Sequence, residues 1–268
     1  MGAALRSLTL VAFVISLVIQ VAFPLGITLL FRRKTRAPWR LFLFGVLVYA
    51  VFQLFTWLPV SVYLDTVVSA RVDSEIHAFV WLLASAFLTA LIEEMGRLWA
   101  FGFLFRRSGE PLTWRNGVMY GLGHGAAETT LLIAGLTFVS FLAYVALNLL
   151  GAEAITASLR ADATPALREA LESIIATDWT QPLIVAFERI IAMAHQLAWT
   201  LLIMQSLVSR QKRWTAFAVL YHASIAVIVP GVARLVGFSL AEAANAAFGL
   251  LSLWILFALR ATRPSTHS

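Results

Sequence analysis

Long apolar runs alternate with short polar breaks along the whole chain. The runs cover about Leu8–Leu30, Leu41–Leu64, His77–Phe105, Asn116–Leu150, Pro182–Val208, Thr215–Pro230 and Ala243–Leu259. A helix needs about 20 apolar residues to cross a hydrocarbon core about 30 Å thick. Only helices satisfy their own backbone there without closing into a barrel. The pattern therefore predicts an all-α, polytopic transmembrane helix bundle of about seven spans. The first run is too long for a signal-peptide core and has no cleavage site before Arg32-Arg33-Lys34, so it reads as an uncleaved span. Pro24 should kink it rather than end it. The last span is interrupted by Glu242 and Asn245 and crosses with a tilt.

Residues 151–181 form the sizeable polar excursion. Thr164 and Pro165 make an N-cap and first-turn pair. Leu167, Leu171, Ile174 and Ile175 follow at helical spacing. This predicts a short amphipathic helix over about 164–177 in an extracytoplasmic loop, lying on the membrane surface as a cap on the bundle. No polar tract is long enough to separate two domains, so residues 1–268 read as a single membrane-embedded domain. Its motif-bearing spans lie at about 77–150 and 182–230.

Composition agrees with the pattern. The chain is 60% hydrophobic and 13% charged, against roughly a quarter charged in soluble domains. It has no cysteine, which excludes disulfides, thiolate metal sites and cysteine nucleophiles. Any metal must be held by histidine and carboxylate. The net charge of +6 is a topological signal, because the basic residues stand at span ends. With the N-terminus outside, 13 Lys and Arg are cytoplasmic and 5 are external. The C-terminus is then cytoplasmic, and nucleic acid is not an expected partner. Trp39, Trp114, Trp179 and Trp214 fall at span starts, as an interfacial aromatic belt would place them.

The costly residues are those inside the spans. Glu93, Glu94 and Arg97 interrupt the third run. A charge at membrane depth costs about 2.5–3.5 kcal/mol on insertion scales and is functional by default. Arg97 is one helical turn from both carboxylates and can pair with either. His124 and Glu128 share a face of the fourth span, and Glu188 and His195 share a face of the fifth, beside Arg189. At 1.5 Å of rise per residue, His124 and His222 lie roughly 12 Å from the cytoplasmic edge, Glu93 roughly 18 Å and His195 roughly 20 Å. Four spans thus bring polar groups to one slab of the membrane. With all groups ionised, Glu93, Glu94, Glu128 and Glu188 against Arg97 and Arg189 leave an uncompensated negative charge. Either carboxyls hold protons or a divalent cation supplies the balance. Three histidines at that level favour a zinc-type ion.

These residues resemble a known family. Glu93-Glu94-x-x-Arg97, Gly123-His124-Gly125-x-x-Glu128, Glu188-Arg189 ahead of His195, and Tyr221-His222 look like the YhfC-type intramembrane metalloproteases. They are more distantly similar to the CAAX-protease and bacteriocin-processing superfamily, the CPBP or Abi proteins. The likeness covers about residues 90–130 and 185–226. Two residues rather than three separate the acidic pair from Arg97, and Ala226 stands where the CAAX-type pattern has Asn or Asp. Both departures point away from prenylated CAAX substrates and toward the YhfC-type branch. The resemblance implies a hydrolase in a bacterial plasma membrane, with lipids around it and a peptide or membrane protein as substrate. It maps the water-activating glutamate to Glu93 and the histidine after an aromatic to His124, four residues beyond Tyr120. His195 and His222 would bind metal or stabilise the oxyanion.

Peptide hydrolysis needs an activated water, a stabilised oxyanion and a proton for the leaving amine. The catalytic candidates are therefore Glu93, Glu94, Arg97 and His124. The candidate zinc ligands are His124, Glu128, His195 and His222, with Glu128 either a ligand or the partner that holds His124. A metal-free alternative has Glu93 and His124 activate water together. Two other classes use the same residues: an ion- or proton-coupled transporter, and an inactive membrane scaffold. Missing inverted repeats and paired broken helices argue against the transporter.

Overall fold

A computed structural model describes residues 2–72, 74–150, 173–174 and 176–261. Among these, every regular element is helical. Helix α1 spans Gly2–Thr35 and continues through Pro24. The second span joins α2 (Trp39–Val48) through a π-helical stretch, Tyr49–Trp57, to α3 (Leu58–Ser69). Helix α4 (Glu75–Trp99) passes into a π-helical turn at Ala100–Phe105. The fourth span runs from α5 (Trp114–Ala127) through π-helical Glu128–Ile133 into α6 (Ala134–Leu150). Three further helices follow among the described residues: α7 (Thr180–Val208), α8 (Arg213–Leu235) and α9 (Phe238–Ala261). Among the described residues, seven helical spans are long and apolar enough to cross a membrane, so the chain is a polytopic helical membrane protein.

Two boundaries differ from the sequence reading. Helix α8 runs through Pro230 to Leu235, because proline in a membrane helix removes one backbone bond that local adjustment absorbs. Helix α9 begins at Phe238 and carries Glu242 and Asn245 within it. The surface helix expected over about 164–177 lies, for all but its last few positions, outside the described residues.

The chain divides into two compact units, Met1–Leu25 with Thr129–Ile190 and Gly26–Glu128 with Ile191–Ser268. In the first, Phe13 packs against Phe141 and Tyr144 with ring centroids 5.9 and 5.6 Å apart. Beside them the Gln20 amide donates to Ser16 at 2.8 Å. The second unit is built around α5, which starts where the Thr113 hydroxyl accepts from the Asn116 N–H at 3.3 Å. Every residue of α5 from Asn116 to Ala127 is buried. Helix α2 reaches it backbone to backbone. A Cβ on Gly45 would lie 2.1 Å from the Tyr120 carbonyl oxygen, and one on Gly123 2.0 Å from that of Phe42. Only glycine at both positions allows that approach, which brings the π-helical stretch after α2 beside His124.

Candidate active site

Within the second unit, the polar residues of α4 collect partners from four other spans. Glu94 and Arg97 are fully buried and Glu93 nearly so. Leaving a guanidinium unpaired at that depth is prohibitive, and Arg97 is gripped on both arms. Its Nη1 donates to Glu94 Oε1 at 2.5 Å, and its Nη2 donates to Glu93 Oε1 and to Gln196 Oε1. One arginine therefore fixes two consecutive carboxylates of its own helix and an amide of α7.

Glu93 is the hub. Gln53 Nε2 donates to its Oε2 at 2.8 Å, while Oε1 takes Gln196 Nε2 at 3.1 Å and meets His124 Nε2 at 3.2 Å. The same Gln196 nitrogen donates to Glu128 Oε2 at 2.5 Å, so an amide ties Glu128 to the cluster. The His124 ring is set by Tyr49, edge-on at 5.3 Å, and by Tyr120 at 6.1 Å.

Glu94 faces the other way. Its Oε1 meets His222 Nδ1 at 3.0 Å, and the His222 ring stacks flat on Trp199, centroids 3.8 Å apart and 9° from parallel. His195, one turn before Trp199 on α7, stacks against that same indole at 5.6 Å. Its nitrogens turn to α9, with Nδ1 2.8 Å from Ser252 Oγ and Nε2 3.3 Å from Asn245 Oδ1. Tyr221 completes this seam: its hydroxyl donates to the Phe248 carbonyl at 2.9 Å and lies 2.9 Å from Ser252 Oγ. Several buried atoms of the cluster lack a protein partner, among them Glu94 Oε2, Tyr120 Oη and His124 Nδ1.

Of the residues singled out in the sequence, Glu93, Glu94, Arg97, His124 and His222 form one hydrogen-bonded network, and Glu128 reaches it through Gln196. Glu188 and Arg189 belong to the first compact unit. Gln53, Gln196 and Trp199 were not anticipated, although an amide at membrane depth seeks a polar partner as surely as a charge does. Gln53 was visible as the polar residue of Val51-Phe52-Gln53-Leu54-Phe55.

The seven spans and this enclosed Glu/Arg/His/Gln network define a polytopic membrane protein with a polar site buried in its helices. Residues 18–241 match the family described as YhfC intramembrane metalloprotease, and the chain belongs to that family. It is 28% identical over 201 residues to the uncharacterized membrane protein YhfC of Bacillus subtilis (strain 168), covering 75% of this chain and 76% of that protein. No solved structure matches.

The family's name implies a metal, and the zinc set read from the sequence was His124, Glu128, His195 and His222. Among the described residues, no three His, Asp or Glu side chains group so as to hold an ion. The reason lies in the donors. Both ring nitrogens of His195 are engaged with Ser252 and Asn245, behind the Trp199 ring. His222 Nδ1 is taken by Glu94, His124 Nε2 by Glu93, and Glu128 by Gln196. As arranged, these side chains fit each other and not a three-histidine metal site.

Proposed function

We propose that the chain is a glutamate-dependent intramembrane endopeptidase in which Glu93 and His124 act together on a water molecule. One observation carries this reading: Glu93 is held by groups from three other spans yet keeps 7% of its side chain exposed, whereas Glu94 and Arg97 keep none. A general base must be fixed in place and reachable by the proton it takes. Glu93 meets both demands, and Glu94, closed in between Arg97 and His222, meets the first alone.

In the proposed reaction Glu93 takes a proton from water as its oxygen attacks the scissile carbonyl carbon. The carbonyl π-bond breaks and its electron pair goes to the oxygen. Once it has taken that proton, the Glu93 carboxyl donates to His124 Nε2. In this tautomer the single ring proton of His124 stands on Nδ1, the nitrogen without a protein partner, and is donated to the oxyanion. Collapse expels the amine, which receives the proton that Glu93 had taken. Arg97 and Gln196 hold the Glu93 carboxylate in one orientation throughout, so no reorganisation is needed as charge develops.

The substrate class this supports is a peptide bond in a membrane protein or membrane-associated peptide. The distribution of basic residues supports an N-terminus outside and a C-terminus in the cytoplasm. Because the chain has no cysteine, single cysteines placed in the loops report that orientation against a clean background.

Glu93→Gln tests the chemistry. The amide keeps the size of the side chain and accepts from Gln53, but it cannot take a proton. Comparison of membrane-protein N-termini in cells expressing either form should show new N-termini with the wild type and lose them with the variant. The loss is about 10²–10⁴-fold in rate, the usual size of a general base's contribution. Equal cleavage by both forms would remove Glu93 from this role.

A further inference from the structure

A groove of about 690 Å³ lies on the second unit, lined by α4, the end of α7, α8 and the turn that joins α7 to α8. Its walls are apolar: Phe87, Leu91 and Leu98 from α4, with Val219 and Leu220 from α8. Its two charged lining residues, Arg210 and Lys212, have the same sign and sit together in the α7–α8 turn. Neither forms an ion pair with a carboxylate among the described residues. From Phe87 to Leu98 the α4 wall is about 16 Å long, close to half of a hydrocarbon core about 30 Å thick.

The backbone at Arg210 adds an independent observation. Helix α7 ends in a turn where Gln211 N–H donates to the Ser206 carbonyl at 3.0 Å and Arg210 N–H to that of Leu207 at 3.3 Å. This places Arg210 in the left-handed region, at φ 56°. The same six-residue turn closes the third span, where Glu110 N–H donates to Phe105 and Gly109 N–H to Arg106. There the left-handed residue is glycine, with φ 67°, the residue this motif favours. An arginine held where glycine is preferred carries backbone strain, and its side chain lines the groove.

We propose that this groove is a binding site for one anionic phospholipid of the bilayer, with an acyl chain along α4 and α8 and the phosphate on Arg210 and Lys212. Three features select that occupant. The apolar wall matches one leaflet's depth, the two cations lie together at the loop end of α8, and no acidic side chain lines the groove to repel a phosphate. The site stands apart from the peptidase reading, since it uses none of the residues of the Glu93 network.

The test uses the purified full-length chain in neutral detergent, titrated with phosphatidylglycerol or phosphatidylcholine, with bound lipid and unfolding temperature measured. Each cation near a membrane surface adds about fivefold to the attraction for an anionic lipid, so the wild type should prefer phosphatidylglycerol about thirtyfold. Arg210→Gly combined with Lys212→Ser should abolish the preference while unfolding at the same or a higher temperature without lipid, because glycine relieves the left-handed turn. Ala216→Trp, which fills the groove from α8, should weaken both lipids. Equal affinity for the two lipids, or a preference that survives the double variant, overturns the proposal. So does glycerol phosphate alone reproducing the stabilisation, which would make the site a free-phosphate site. A dimer that forms on lipid removal and is lost in Ala216→Trp would assign the groove to a second copy of the chain instead.

Discussion

Two polar networks lie side by side in the second compact unit, separated by one tryptophan. On one face of Trp199, His222 joins the Glu94–Arg97–Glu93 network, where ion pairs and amides converge from α4, α5, α7, α8 and the Tyr49–Trp57 stretch. Stacked against the same indole, His195 joins Ser252, Asn245 and Tyr221, hydroxyl and amide partners that carry no charge. The two histidines lie on neighbouring helices and both are buried. Their surroundings set them apart: one meets a carboxylate tied to a guanidinium, the other a hydroxyl and an amide. A neutral seam of this kind stabilises helix packing by modest amounts per bond. A charged network buried to the same degree is costly unless fully paired, so its retention points to chemistry.

The largest effect should come from breaking the charged side at its pivot. Arg97→Ala removes the partner of Glu93, Glu94 and Gln196 at once and leaves buried carboxylates uncompensated. Removing one partner of a buried pair costs about 3–5 kcal/mol, so this variant should be poorly folded in denaturation assays in detergent. Arg97→Lys should recover part of the stability, because an ammonium keeps the charge but reaches the two carboxylates without the guanidinium fork. If Arg97→Ala were as stable as the wild type, Arg97 would not be the counter-charge on which the buried carboxylates depend.

A sharper contrast comes from the histidines on the two sides. His124→Ala should abolish cleavage, by about 10²–10³-fold for loss of one oxyanion donor. His195→Ala should leave cleavage near wild type and instead lower stability by about 1–3 kcal/mol through orphaned buried partners. Metal analysis of the two variants beside the wild type separates the readings further. A zinc content that falls with His195→Ala would place that ring among metal ligands, against the engagement of both its nitrogens.

The spans, the acidic pair and its arginine were legible because their signals are one-dimensional. An apolar run of membrane length or a charge inside it needs no knowledge of which way a helix is turned. Depth is one-dimensional too, and rise per residue alone brought Glu93, His124, His195 and His222 to one slab. Direction around the helix is not. His195 and Gln196 are consecutive, so their side chains point about 100° apart; Gln196 meets Glu93 and Arg97, and His195 meets α9. The sequence reading chose the histidine by residue type and passed over the glutamine beside it. Gln53 was visible as a polar residue in an apolar run, but its partner was not. Tyr49, Gln53 and Trp57, four residues apart, are buried on one face of the π-helical stretch. Neither alternation nor a 3.6-residue period signals such a stretch.

The smallest expected effect tests the neutral side from within. Ser252 is fully buried on α9, and its hydroxyl stands between His195 Nδ1 at 2.8 Å and the Tyr221 hydroxyl at 2.9 Å. Ser252→Ala removes a single oxygen and changes the packing little. Tyr221 keeps its bond to the Phe248 carbonyl and His195 keeps Asn245. One buried nitrogen then loses its partner, a cost of about 1 kcal/mol on the scale of measured interhelical hydrogen bonds in membranes. Unfolding in detergent should register that loss while cleavage stays unchanged. An opposite result, full stability with cleavage lost, would mean that the seam tunes the reacting groups through Trp199 and His222, and the division between the two networks would have to be redrawn around the indole that both histidines share.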